Sequence, residues 1–209
     1  KKLMPDISLN KRLVKFILFL IAFGLLIIGI VNPQIGTRLE NVKRTGADLM
    51  ICLDVSNSMR ATDLSPNRLE KAKLAISKLI DKLNGDRLGI IIFAGEAYVQ
   101  LPITTDYSAS KLFLESISPE MIPTQGTNIG AAIDLSMESF GKDEGKNKAI
   151  IIITDGEDNE SAGITAAQKA AEKGVSIYTI GMGSPDGAPI PIYANGAREG
   201  FKKDKEGNT

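Results

Sequence analysis

The stretch LMICLDVSNS, residues 49–58, runs five apolar residues straight into Asp54-x-Ser56-x-Ser58. An uninterrupted apolar run closed by polar turn residues predicts a strand buried on both faces, as in a parallel sheet covered by helices. Its polar end then lies at the carboxyl edge of that sheet, where open α/β sheets take their ligands. One carboxylate and two hydroxyls on a tight turn are hard oxygen donors, suited to Mg²⁺ or Mn²⁺. The first expectation is therefore a metal site.

Working outward, apolar runs recur at 88–93, 149–153 and 175–180, separated by segments of helical periodicity. Such alternation predicts an α/β fold with a doubly wound, mostly parallel sheet. Ser65-Pro66 reads as a cap and first helical residue, followed by Leu69, Ala72, Ile76, Leu79 and Leu83 at helical spacing and closed by Gly85. Ala94-Gly95-Glu96 reads as a tight link to an antiparallel edge strand over 97–101, stopped by Pro102. Helices are expected over 108–116, over 165–173, and along the face of Ile129, Ile133, Met137 and Phe140 up to Gly141. Residues 141–148 read as a solvated loop, and 188–209 as a hairpin with a charged, glycine-rich tail. The glycines at 181–187 lack the spacing of a dinucleotide fingerprint, and Pro185 would break the helix that fingerprint requires.

Composition excludes several chemistries. The chain of 209 residues is 43% hydrophobic, enough for a core and unlike a disordered segment. It contains no histidine, which removes Ser/His/Asp and Cys/His catalysis, histidine bases and histidine zinc sites together. The single Cys52 can form neither an internal disulfide nor a cysteine cluster and reads as a buried filler. Residues 1–47 carry 8 Lys/Arg and 2 Asp/Glu, leaving 17 basic and 23 acidic residues over 48–209. That acidic balance argues against nucleic-acid binding.

Residues 13–31 are 19 residues with one charge, Lys15, near the start. A helix there would extend about 28 Å, close to the hydrocarbon thickness of roughly 30 Å. The run is longer than a signal-peptide core, leads into Asn32-Pro33-Gln34-Ile35 and lacks a polar face, so a membrane span is expected. Lys1, Lys2, Lys11, Arg12 and Lys15 flank its start, against Arg38, Lys43 and Arg44 beyond it. The positive-inside rule then places 1–12 in the cytoplasm and exports the domain that follows the 32–46 linker.

Two later stretches answer the first. Thr127 stands where a helix begins, in Gln125-Gly126-Thr127-Asn128, a position where a hydroxyl also commonly serves as a cap. Asp155-Gly156 follows the apolar strand ending at Thr154, and should project at the same sheet edge as Asp54. Asp54-x-Ser56-x-Ser58, then Thr127, then Asp155-Gly156 resembles the von Willebrand factor A domain and its metal-ion-dependent adhesion site, over about 47–192. The resemblance implies that Asp54, Ser56, Ser58, Thr127 and Asp155 hold a divalent cation, Mg²⁺ or in its place Mn²⁺ or Ca²⁺, some of them through water. It further implies an open coordination position for an acidic residue of a protein partner.

With the span, Asp63-Leu-Ser-Pro-Asn-Arg-Leu-Glu70 and Gly187-Ala-Pro-Ile-Pro-Ile192, the chain is similar to the membrane-anchored aerotolerance (Bat) proteins of bacteria. That likeness implies a place in the inner membrane with the domain on the periplasmic side, alongside related A-domain proteins and MoxR-type ATPases. It also implies a closing strand and helix and a second span. The 47–209 domain is accordingly expected to be truncated at its C-terminal end.

Other readings fit less well. A Mg²⁺-dependent phosphotransferase with Asp54 as nucleophile would need a second Asp where Ser56 stands, or a basic residue after a later strand. A calcium loop from Asp155 fails because Glu160 occupies the sixth position and Ala166 the twelfth, so Glu157, Asp158 and Glu160 read as an acidic rim. A metal-free structural anchor leaves the five-residue coincidence unexplained. The expectation is a binding module and not an enzyme.

Overall fold

The apolar run after Asp48 becomes the centre of a sheet because both of its faces find helices. The computed structural model describes residues 9–31, 46–141, 147–156, 162–185, 187–194 and 197–203. The chain divides into two units, Lys1–Lys43 and Arg44–Thr209. In the second, β1 (Asp48–Asp54), β2 (Arg87–Phe93), β3 (Ala97–Thr104), β4 (Lys148–Thr154) and β5 (Ser176–Gly181) form one sheet in the order β3-β2-β1-β4-β5. All pairings are parallel except β2 with β3. The expected doubly wound architecture with one antiparallel edge strand is what the chain adopts.

Successive residues of β1 face opposite layers. Ile51 and Leu53 join Leu69, Ile76 and Ile90 under α2 (Arg68–Ile80) and α3 (Tyr107–Glu115). Met50 and Cys52 join Phe93, Ile133 and Ala170 under α4 (Ile129–Ser139) and α5 (Gly163–Glu172). Each fully buried aliphatic or aromatic side chain here stabilises the fold by about 1.5–3 kcal/mol. Cys52 is the filler expected: its Sγ lies 3.0 Å from the Ser136 hydroxyl, and burial pushes its thiol up to about 12.

Three local details differ from the sequence expectation. The Ser65-Pro66 peptide is cis and precedes α2, whose cap is Asn67, its side chain accepting from the Glu70 amide at 2.8 Å. Strand β3 runs through Pro102 to Thr104, because the register shifts there and leaves Pro102 and Ile103 opposite Gly89. The missing proline donor falls where the ladder is already interrupted. Helix α4 is capped by Asn128, which accepts from the Ala131 amide at 2.8 Å, and not by Thr127.

Strand β5 forms the far edge of the sheet with Tyr178 and Ile180 exposed. Beyond it, β6 (Pro191–Ala194) and β7 (Ala197–Phe201) make a separate two-stranded hairpin. Residues 142–146 of the expected surface loop, the acidic residues 157–160 and the tail 204–209 lie outside the described residues.

The first unit contains α1 (Leu9–Val31), 23 residues without an acidic side chain in its first turn. Its segment Asn10–Ile30 has a mean hydropathy of 2.8 and is long and apolar enough to cross a membrane.

Candidate metal centre

Strand order changes direction at β1: the chain leaves it for β2 on one side and returns to β4 on the other. The carboxyl end of β1 is thus a topological switch point, where diverging loops leave a crevice. Asp54 is the last residue of β1, and a 3-10 turn over Asn57–Arg60 begins directly behind Ser56. The Val55 amide donates to the Phe93 carbonyl at 2.9 Å, anchoring this turn to β2. Thr127 arrives from the opposite side, in a loop pinned where the Asn128 amide donates to the Ala94 carbonyl at 2.7 Å. Gly126 precedes it with φ +135° and Gly156 follows Asp155 with φ +93°, left-handed conformations that a side chain would strain.

The structure brings the three hydroxyl residues together. Ser56, Ser58 and Thr127 line one cavity of about 100 Å³ with Asn57, Gln125, Gly126 and Lys202. The Ser56 and Ser58 hydroxyl oxygens are 2.9 Å apart. Asp54 lies behind them, fully buried, accepting from the Ser56 amide at 2.8 Å and from the Thr154 hydroxyl at 2.7 Å. Asp155 is held on the far side: its Oδ2 lies 3.0 Å from a terminal nitrogen of Arg68. The two carboxylates stand beside the cavity and do not line it.

Burial pushes the Asp54 carboxyl up to about 6, with a smaller contribution from the charge of Asp155, against the hydrogen bonds from Ser56 and Thr154. A buried carboxylate whose charge is disfavoured by desolvation is stabilised by an adjacent cation. Two carboxylates, three hydroxyls and no histidine or thiol in reach form a hard, oxygen-only donor set. That set fits Mg²⁺, Mn²⁺ or Ca²⁺ and disfavours soft metals. Among the described residues, no cluster of three or more His, Cys, Asp or Glu competes as a metal site.

Several contributors were invisible in the pattern. Gln125 joins the two loops, its side-chain oxygen accepting from the Asn57 amide at 3.1 Å. Thr154 ties Asp54 to β4, and its position next to Asp155 was the available signal. Asp63 and Arg68, read only as part of a family signature, form an ion pair at the site's edge. Arg60 pairs with Glu120 at 2.6 Å across the outer rim.

A five-stranded sheet with this order, and a Ser/Ser/Thr cavity at its switch point, define a class. The chain belongs to the family of the von Willebrand factor type A domain, whose model matches residues 49–157. Within that class it is similar to BatB from Bacteroides thetaiotaomicron, at 52% identity over 78% of each chain with a TM-score of 0.72. An aerotolerance-related membrane protein from Bacteroides fragilis NCTC 9343 is 53% identical, over 78% of this chain and 79% of that one, with a TM-score of 0.73. The resemblance to the Bat proteins therefore rests on the folded domain as well as on short motifs. A UPF0353 protein of Mycobacterium sp. (strain KMS) is 34% identical over 196 residues, 84% of this chain and 58% of the relative. The chain thus spans less than two thirds of that relative's length. The apolar helix α1 and the membrane-protein relative together support membrane anchoring.

Proposed function

We propose that this chain is a membrane-anchored interaction module that captures a protein partner through a divalent cation held by Asp54, Ser56, Ser58, Thr127 and Asp155. The observation that carries the reading is the convergence of three buried hydroxyl residues, from two loops about 70 positions apart in sequence, on one small cavity beside a buried aspartate. Mg²⁺ is the expected ion, with Mn²⁺ or Ca²⁺ able to replace it. When bound, the ion supplies an electrophilic centre that accepts a carboxylate from the partner.

The chain's own residues bias that outcome. Hydroxyl ligands carry no formal charge, so Asp54 and Asp155 at most neutralise the ion, and it favours an incoming carboxylate over water. The Ser56 amide and the Thr154 hydroxyl fix both oxygens of Asp54, so the donor set is organised before the partner arrives. With no histidine to move protons, the arrangement suits binding and not turnover. The basic flank of α1 supports an exported domain, on the periplasmic side of a bacterial inner membrane. The Bat likeness supports a role in an envelope complex linked to stress or aerotolerance, with related A-domain proteins and a MoxR-type ATPase system as candidate partners.

Calorimetric titration of the full chain with Mg²⁺ and Mn²⁺, followed by capture of membrane-extract proteins with and without chelator, tests the reading. Asp54→Ala should abolish both metal uptake and metal-dependent capture. Capture unchanged by chelator and by Asp54→Ala would leave a metal-free anchor as the function.

A further inference from the structure

Arg68 opens α2, yet its side chain is buried rather than turned to solvent. It engages two carboxylates at once. Nε and one terminal nitrogen hold Asp63 at 2.9 and 3.1 Å, and the other terminal nitrogen lies 3.0 Å from Oδ2 of Asp155. The side chains of Arg68, Asp63 and Asp155 are only 10%, 4% and 2% exposed, so the trio is withdrawn from water and weakly screened. Its fourth wall is Gly183, where an added Cβ would lie 3.3 Å from the guanidinium carbon. The Ser184 amide donates to Asp63 at 2.7 Å and closes the network.

This arrangement has a direct electrostatic consequence. Asp54, Asp63 and Asp155 bring three negative charges to one sheet edge; Arg68 is the buried positive charge beside them, and exposed Lys202 lines the cavity. A guanidinium cannot be deprotonated in this setting, so its charge is permanent. A divalent ion that recruits Asp155 must share that carboxylate with Arg68 or displace it.

We propose that Arg68 is a resident counter-cation that competes with the divalent ion for Asp155, acting as a positioning residue that weakens metal affinity and keeps occupancy reversible. The inference rests on the metal-dependent reading above and deepens it. The Asp63–Arg68 pair draws part of the arginine's charge away from Asp155, so the strength of that pair tunes the site. The segment Asp63-Leu-Ser-Pro-Asn-Arg68 thereby has a physical role as an affinity setting.

The two ends of the network give opposite signs. Arg68→Met leaves three carboxylates without an internal cation and should tighten Mn²⁺ binding by at least about tenfold while lowering the stability of the chelated chain. Arg68→Lys keeps the charge but cannot fork onto Asp63 and reach Asp155 together, so its Mn²⁺ affinity should fall between wild type and Arg68→Met. Asp63→Asn frees the guanidinium to bind Asp155 more strongly and should weaken Mn²⁺ binding by about threefold or more. A merely structural role predicts weaker binding in both Arg68→Met and Asp63→Asn.

The measurement is a Mn²⁺ titration of the full chain in detergent, following the electron paramagnetic resonance signal of free Mn²⁺, with circular dichroism to confirm folding. If Arg68→Met binds Mn²⁺ no more tightly than wild type, the proposal is overturned. Should Arg68→Met fail to fold under chelation, Arg68→Gln decides, since it removes the charge but keeps hydrogen-bond donors for Asp63 or Asp155: affinity equal to or below wild type overturns the proposal. A wild type that takes up no Mn²⁺ defeats the proposed function. Uptake by Arg68→Met alone would then still uphold this inference, and uptake by neither would overturn it.

Discussion

Asp54→Asn should stabilise the metal-free chain at neutral pH, although it removes a proposed metal ligand. Burial raises the Asp54 carboxyl from its ordinary 3.8 to about 6. The folded chain therefore holds this proton more tightly than the unfolded chain does. The group's favourable contribution is complete below about pH 4 and is lost as the pH climbs through about 6. At 1.36 kcal/mol per pH unit, carrying the charge at pH 7 costs about 3 kcal/mol relative to the protonated form. Asparagine keeps an oxygen for the Ser56 amide, now at 2.8 Å, and the Thr154 hydroxyl can turn to accept from the new amide group. The hydrogen bonds from Ser56 and Thr154 to the charged form already hold the carboxyl's value down, so their weakening is contained in this figure. The net expectation is a stabilisation of up to about 3 kcal/mol at pH 7 that vanishes near pH 4.

Urea unfolding of the full chain in detergent with chelator, followed by circular dichroism at both pH values, measures this difference. Adding Mn²⁺ at a hundredfold excess over its dissociation constant should then raise the wild type by about 2.7 kcal/mol and leave Asp54→Asn unmoved. A variant less stable than wild type at pH 7 would refute the reasoning, as would one equally stabilised at pH 4 and pH 7. Either result would mean that hydrogen bonding, and not desolvation, dominates the Asp54 carboxylate.

Three further outcomes are expected. Thr127→Ala should weaken Mn²⁺ binding in a calorimetric titration without shifting the urea midpoint, whereas Asn128→Ala should cost about 1 kcal/mol of stability, because Asn128 is the residue that caps α4. Gly95→Ala should lower Mn²⁺ affinity from outside the donor set, since the new Cβ would lie 2.8 Å from the Gln125 carbonyl oxygen and 3.0 Å from that of Thr124, forcing the loop that carries Thr127 to shift. A reporter active only in the cytoplasm, fused after Ile192, should stay silent, and strong activity would reverse the proposed orientation.

The centre of the fold was legible because its signal is local and redundant. β1 and β4 are apolar on both faces, so no alternation is needed to recognise them; β1 ends in Asp54, and Asp155 directly follows β4. Misread details arose where two local rules competed. Pro102 reads as a strand terminator, yet the bulge opposite Gly89 removes the demand for its amide. Ser65-Pro66 reads as a helix start, yet Asn67 and Glu70 supply a better cap two residues on. Thr127 reads as a cap or a ligand, and the choice turns on the neighbouring Asn128, which takes the capping role and leaves Thr127 in the cavity wall.

The charge balance of the site was hidden for a different reason. A donor pattern is recognised from side chains that recur at fixed positions after strands, but the cation opposing them comes from elsewhere in the chain. Arg68 reaches Asp155 across 87 positions, and Ser184 reaches Asp63 across 121. In the sequence, Arg68 stands only as one residue of the Asp63–Glu70 signature, with nothing to mark its charge as part of the site. Its burial supplies the mark, because a guanidinium so withdrawn from water persists only where carboxylates compensate it, and one of those carboxylates is a proposed ligand. The affinity of such a site is set by the difference between its carboxylates and its internal cation. Two chains with the same five donors can therefore hold the same ion with very different strength, and the Asp63–Arg68 pair is where this chain differs from a bare donor set.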